Sequence, residues 1–120
     1  MFLWKAIATT AATTAVLLAA PAAMSQTTGF AEFIAKVNSN GNLSRGSGVT
    51  SSARISAGSY TVTFPRDIST CYTLASVTGD AGFATASQPN LTPTQVKVLT
   101  FNAAGSPTNR TFVLLVRCQD

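Results

Sequence analysis

Histidine is absent from this 120-residue sequence, and charge is scarce, with 8 Lys and Arg against 4 Asp and Glu. Without histidine there is no Ser–His or Cys–His nucleophile pair, and the commonest general base and metal ligand is missing. The four acids are Glu32, Asp67, Asp80 and Asp120. Asp120 ends the sequence, and Asp80 sits among glycines, where Asp is an ordinary turn former. A glycosidase holds two carboxylates about 5–9 Å apart across a cleft. Glu32 and Asp67 remain as candidates for such a pair, but Arg66-Asp67 after Pro65 reads more readily as a turn cap. Two thiols without histidine are too few ligands for a metal site. The expectation is a protein that is not an enzyme, with no catalytic, cofactor-binding or metal-ligating residue to assign.

The longest uncharged apolar stretch lies at the start. Met1-Phe2-Leu3-Trp4-Lys5 carries one cation, and residues 6–20 are dominated by Ala, Val, Leu and Thr. Small residues follow in Ala20-Pro21-Ala22-Ala23-Met24-Ser25. This is the layout of a secretory signal peptide, too short and too rich in threonine for a comfortable membrane span. Cleavage fits after Ala22 or after Ser25, and Ser25 is preferred. The expected arrangement is a signal peptide over 1–25 and a single domain over 26–120, secreted or periplasmic, without a membrane span after cleavage. The mature 95 residues keep 7 basic and 4 acidic side chains and no Trp or Met.

A chain of that size buries only about 60–65% of its unfolded surface, so its core alone is marginal. Cys71 and Cys118 are the only cysteines. In an exported chain they have one intramolecular pairing, a disulfide closing a loop of nearly fifty residues. Such a bond stabilises by about 4 kcal/mol in the chain-entropy model, and here it would pin the last strand.

What is present is Ser and Thr, 30 residues of 120, arranged with apolar residues in period-two patterns. Tyr60, Val62 and Phe64 alternate with Ser59, Thr61 and Thr63, as in a half-buried strand. Val96, Val98 and Thr100 oppose Lys97, Leu99 and Phe101. Cys71, Thr73, Ala75 and Val77 oppose Tyr72, Leu74 and Ser76. Residues 110–118 are apolar on both faces, with Phe112, Leu114, Val116 and Cys118 opposite Val113 and Leu115, which predicts a central strand covered from both sides. Weaker strands fit residues 49–56 and 83–87. Residues 30–37 satisfy a helix spacing through Phe30, Phe33, Ile34 and Val37. The segment is short, however, and Asn38-Ser39-Asn40-Gly41 follows as a hairpin turn, so a strand is expected. Short strands separated by Gly, Asn and Pro turns predict an all-β fold, a small antiparallel β-sandwich of about seven strands. Its expected core is Phe33, Val49, Ile55, Tyr60, Val62, Phe64, Leu74, Val96, Val98, Phe112, Leu114 and Val116.

Other motifs carry little chemistry. Arg45-Gly46-Ser47-Gly48 lacks the spacing of a phosphate-binding loop and reads as a loop or bulge between strands. Arg45, Arg54, Arg66, Lys97, Arg110 and Arg117 are spread singly, so no nucleic-acid partner is expected. Asn42-Leu43-Ser44, Asn90-Leu91-Thr92 and Asn109-Arg110-Thr111 match the N-glycosylation pattern but serve here as loop markers. The aromatics fall mostly at strand positions and read as core before sugar platform.

Val37-x-x-x-Gly41-x-Leu43, Gly46-x-Gly48-Val49, Gly58-x-Tyr60-x-Val62-x-Phe64, the Cys71-Tyr72 pair and Phe112-Val113-Leu114-Leu115-Val116-x-Cys118 together resemble small exported bacterial β-sandwich modules. These form a largely uncharacterised family that also occurs fused to larger surface proteins. The resemblance implies a compact sandwich with a cysteine pair outside the cytoplasm, and it implies no catalytic residues.

The expected function is therefore a secreted, non-enzymatic binding or structural module of the cell envelope or extracellular space. Its partner would be an extracellular ligand or surface protein, glycans included, met by loops 38–48, 78–82 and 102–109. The alternative is a self-assembling surface subunit that polymerises by adding its N-terminal segment, residues 27–37, to a neighbour's sheet.

Overall fold

The computed structural model describes residues 30–89 and 92–119. The expected signal peptide, both cleavage positions, Asn90 and Asp120 lie outside the described residues. Eight strands follow one another without a helix among the described residues: β1 (Phe30–Val37), β2 (Leu43–Ser47), β3 (Ser51–Ser56), β4 (Ser59–Thr63), β5 (Tyr72–Val77), β6 (Gly82–Ser87), β7 (Gln95–Asn102) and β8 (Phe112–Gln119). They form two four-stranded sheets of order β2-β1-β8-β5 and β3-β4-β7-β6. All described pairings are antiparallel. The all-β sandwich expected from the alternation is the fold, with eight strands rather than seven.

The extra strand is β2. Leu43-Ser44-Arg45-Gly46-Ser47 has no alternation to announce it, and the sequence reading left it within a loop. It forms because β1 offers a ladder edge: Ser47, Gly46 and Arg45 stand opposite Ile34, Ala35 and Lys36. Residues 30–37 are the strand β1, not a helix, and β1 is held on both sides, by β2 and by β8.

The core follows the period of two. From the first sheet, Ala35, Val37, Phe112, Leu114, Val116 and Cys118 point inward. From the second, Tyr60, Val62, Val96 and Val98 do the same, and Phe64 joins them just beyond β4. Facing sheets of this kind pack about 10 Å apart, so their inner side chains interdigitate in one layer. The Tyr60 and Phe112 rings meet edge to face at 5.0 Å, and Phe33 lies 5.5 Å from Phe64. Ile68, on the β4–β5 connection, is fully buried and plugs the end of the layer where the disulfide lies. Two polar groups reach into this interior with partners: the Tyr60 hydroxyl donates to the Ser39 carbonyl at 2.8 Å, and the buried Thr100 hydroxyl donates to the Thr108 carbonyl at 2.6 Å.

Two expected core residues are outside it. Ile55 is 65% exposed, because Ser52 and Arg54 stand opposite the inward Val62 and Tyr60, which leaves Ile55 with the outward parity of Ser51 and Ala53. Leu74 is 67% exposed. The disulfide between Cys71 and Cys118 fixes the parity of β5. Cys71 faces inward, so Thr73, Ala75 and Val77 do too, and Leu74 takes the outer face with Tyr72 and Ser76. The bond links neighbours within one sheet, one rung beyond the Tyr72–Arg117 pair, with its Cα atoms 4.3 Å apart. Phe33 and Val49 pack against the core without being fully buried.

Strand β8 departs from its expected setting in one respect. It is central within its sheet, between β1 and β5. Its second apolar face, Val113 and Leu115, is only half-buried, and no described element lies over it.

Candidate binding face

The ladder register fixes what the outer face of the β2-β1-β8-β5 sheet presents. Ile34 stands opposite Leu115, and Leu115 opposite Leu74, so three branched aliphatic side chains form one row across β1, β8 and β5. On one side of that row are Lys36, Val113 and Ser76; on the other are Glu32, Arg117 and Tyr72. Phe30 lies beyond, and the Arg117 guanidinium sits 4.2 Å from the centre of its ring. Leu74 and Tyr72 are each 67% exposed, Phe30 50% and Ile34 45%. Scattered exposed apolar residues are ordinary, but here they are contiguous, which makes this face the candidate.

The opposite sheet shows the contrast. Its outer face carries Thr61, Thr63, Thr85, Ser87 and Lys97 together with Ile55, Leu99 and Phe83, the last stacked on Phe101 at 4.8 Å. Ile55 is 65% and Phe83 48% exposed there, but Leu99 stands between Ser59 and Thr85, so no apolar row crosses three strands of that sheet as Ile34–Leu115–Leu74 crosses the first.

The apolar face also has relief. A depression of about 280 Å3 lies between β1 and β2, bounded by Ile34, Lys36, Arg45 and Val113 and floored by Ala35 and Gly46. A Cβ at Gly46 would stand 3.0 Å from the Ile34 carbonyl oxygen, so the ladder would have to give by a few tenths of an ångström to hold one. Lys36 and Arg45 face each other across the ladder. Like charges so placed oppose each other, which leaves this rim of the face electropositive.

The loops named from sequence meet at one end of the sandwich, with one exception. The β1–β2 turn, the β5–β6 turn and the β7–β8 connection all leave from the end marked by Val37, Val77 and Phe112. Residues 43–47 of the first loop are instead β2 and run away from that end. The polar groups of these loops are turned on themselves. Asn102 Oδ1 accepts the N–H groups of Ala104 and Ser106, each at 3.0 Å. Asn109 Oδ1 accepts the Gly58 N–H at 2.8 Å, and Asn40 Oδ1 the Asn42 N–H at 3.0 Å. Arg110 and Asp80 pair at 3.3 Å. The loop end is braced, with many of its side-chain acceptors already engaged.

The two candidate acids sit in different elements. Glu32 is on the outer face beside Arg117, whereas Asp67 is in the β4–β5 connection, where its Oδ1 accepts the Ser69 N–H at 2.8 Å. Hydrogen bonds from the Ser69 hydroxyl and the Ser69 N–H hold the Asp67 carboxyl below its usual range, which is the turn-capping role expected of it and the reverse of what a general acid needs. Among the described residues no three His, Cys, Asp or Glu side chains gather as metal ligands, and no helix is long and apolar enough to cross a membrane.

The cations divide among surfaces. Lys36, Arg45 and Arg117 share the apolar face, Arg54 and Lys97 are on the opposite sheet, and Arg66 and Arg110 lie in connections at opposite ends. Sequence reasoning missed the face itself. Its signal was present in Val113 and Leu115, whose apolar character was ascribed to a covering layer. Comparison of the chain with protein-family models, with curated proteins and with solved structures finds no match.

Proposed function

We propose that this protein is a secreted, non-enzymatic binding or structural module of the cell envelope or extracellular space, working through the outer face of the β2-β1-β8-β5 sheet. The observation that carries the reading is the row Ile34–Leu115–Leu74, continued by Tyr72 and Phe30, which runs unbroken across three strands of one face, whereas on the other face Leu99 stands between Ser59 and Thr85. The signal-like first 25 residues, the disulfide and the resemblance to exported bacterial β-sandwich modules support the location. The braced loop end supports placing the contact on the sheet instead of on the loops.

The test is retention on the envelope. Oxidised mature protein is mixed with the envelope fraction of the producing cells and sedimented, beside Leu74→Lys. Leu74 is largely exposed, so this variant folds, and circular dichroism verifies it. Retention of the wild type and release of the variant is the expected result. Equal retention of the two would refute the assignment of this face.

The alternative, polymerisation through the N-terminal segment, takes a more defined form here. Strand β1 is hydrogen-bonded on both sides within its own chain, so polymers of that kind require β1 to be exchanged between copies.

A further inference from the structure

We infer that the occupant of this face is another copy of the same chain. The inference rests on the reading of the face as the contact surface and goes on to name what covers it.

The first ground is composition. The face is apolar at its centre and mixed in charge at its margins, with Glu32 beside Arg117 on one side of the Ile34–Leu115–Leu74 row and Lys36 and Arg45 on the other. A purely anionic partner, such as an acidic lipid surface, would meet Lys36, Arg45 and Arg117 favourably but would be repelled by Glu32, which stands well within the face. A copy of the chain carries both signs.

The second ground is symmetry. Glu32 and Lys36 lie on the same strand, two positions to either side of Ile34, and all three point outward. A copy turned end for end about an axis along the Ile34–Leu115–Leu74 row brings each of these side chains onto its own counterpart. The same operation sets Glu32 of each copy against Lys36 of the other, twice. This is the self-complementarity that a closed, isologous contact requires. It also relieves the Lys36–Arg45 juxtaposition, which has no described acid beside it, by supplying one from the second copy. Charge complementarity of this type selects register and partner more than it adds affinity; burial of the aliphatic row supplies the driving force.

The experiment is sedimentation velocity on the oxidised mature protein over a range of concentrations. The wild type is expected to sediment as a dimer. Leu74→Lys, which places a cation in the centre of the row, raises the dissociation constant about tenfold or more. Glu32→Lys and Lys36→Glu each weaken association, and the two together restore it. Ile55→Lys, equally exposed but on the other sheet, leaves the mass unchanged. A wild type that is monomeric at every concentration overturns the inference, as does a Leu74→Lys protein that associates like the wild type. A monomer that binds phosphatidylglycerol vesicles through this face overturns it in favour of a lipid. These failures differ from failure of the functional reading: a monomer that still needs Leu74 for envelope retention leaves that reading standing with a different partner.

Discussion

Gly58 turns the chain from β3 into β4 with φ at +70°, and its surroundings leave no room for a side chain. A Cβ there would stand 2.7 Å from the Thr100 carbonyl oxygen and 2.9 Å from the Thr108 nitrogen. The same residue accepts the Thr100 N–H at 2.8 Å and donates to Asn109 Oδ1, tying the β3–β4 turn to the β7–β8 connection. Gly58→Ala should therefore lower stability by about 1–3 kcal/mol in urea titration, the cost of a strained left-handed residue; an unchanged midpoint would show that the connection yields freely. Asp67 makes a pH-dependent contribution of known sign. Its carboxyl is held below the ordinary 3.8 in the folded chain by hydrogen bonds from Ser69. The stabilisation is fully present above 3.8 and is lost as the pH falls through the lower, folded value. Asp67→Asn keeps an oxygen to accept the Ser69 N–H but does not ionise. Its thermal midpoint should fall less than that of the wild type between about pH 5 and pH 2, and parallel curves would remove Asp67 from the acid response.

At the level of elements, the C-terminal strand depends on the disulfide. β8 lies between β1 and β5, and Cys118 is clipped to Cys71 one rung beyond the β5–β8 ladder. Replacing both cysteines by serine should cost about 4 kcal/mol in the chain-entropy account. Amide exchange at the end of β8 should accelerate before that of β4 and β7. A loss under about 1 kcal/mol would mean that packing alone holds the strand. The elements also show which physical signals a sequence carries. β4 and β7 were legible because each has one wet face and one buried face, and alternation records that directly. β2 was not, since its five residues are all exposed and it exists through the ladder edge that β1 lends it. Ile55 was misplaced because the parity of β3 is set by its pairing with β4, where Ser52 and Arg54 meet Val62 and Tyr60, and that pairing is invisible in one strand. Leu74 was misplaced although its parity with Cys71 was readable; the inward cysteine settles the face, and hydrophobicity alone argued the wrong way.

For the molecule as a whole, what mattered most was the difference between its two outer faces. The all-β class and the cysteine pairing could be read from the sequence, because turn punctuation, compartment and cysteine number constrain them. The proposed contact face could not, because an apolar side chain under a second layer and one on an open face have the same composition. Val113 and Leu115 illustrate this: their pattern signals burial, and the fold leaves them half-buried on an open face. The reading of that face as the place of contact is the central claim, and hydroxyl-radical footprinting tests it most directly. The oxidised mature protein is labelled on the envelope fraction and, separately, in dilute solution. The account predicts that Tyr72, Leu74 and Ile34 become protected on the envelope, while Ile55 and Phe83 react equally in both. Protection of Ile55 and Phe83, with Tyr72 and Leu74 unchanged, would contradict it.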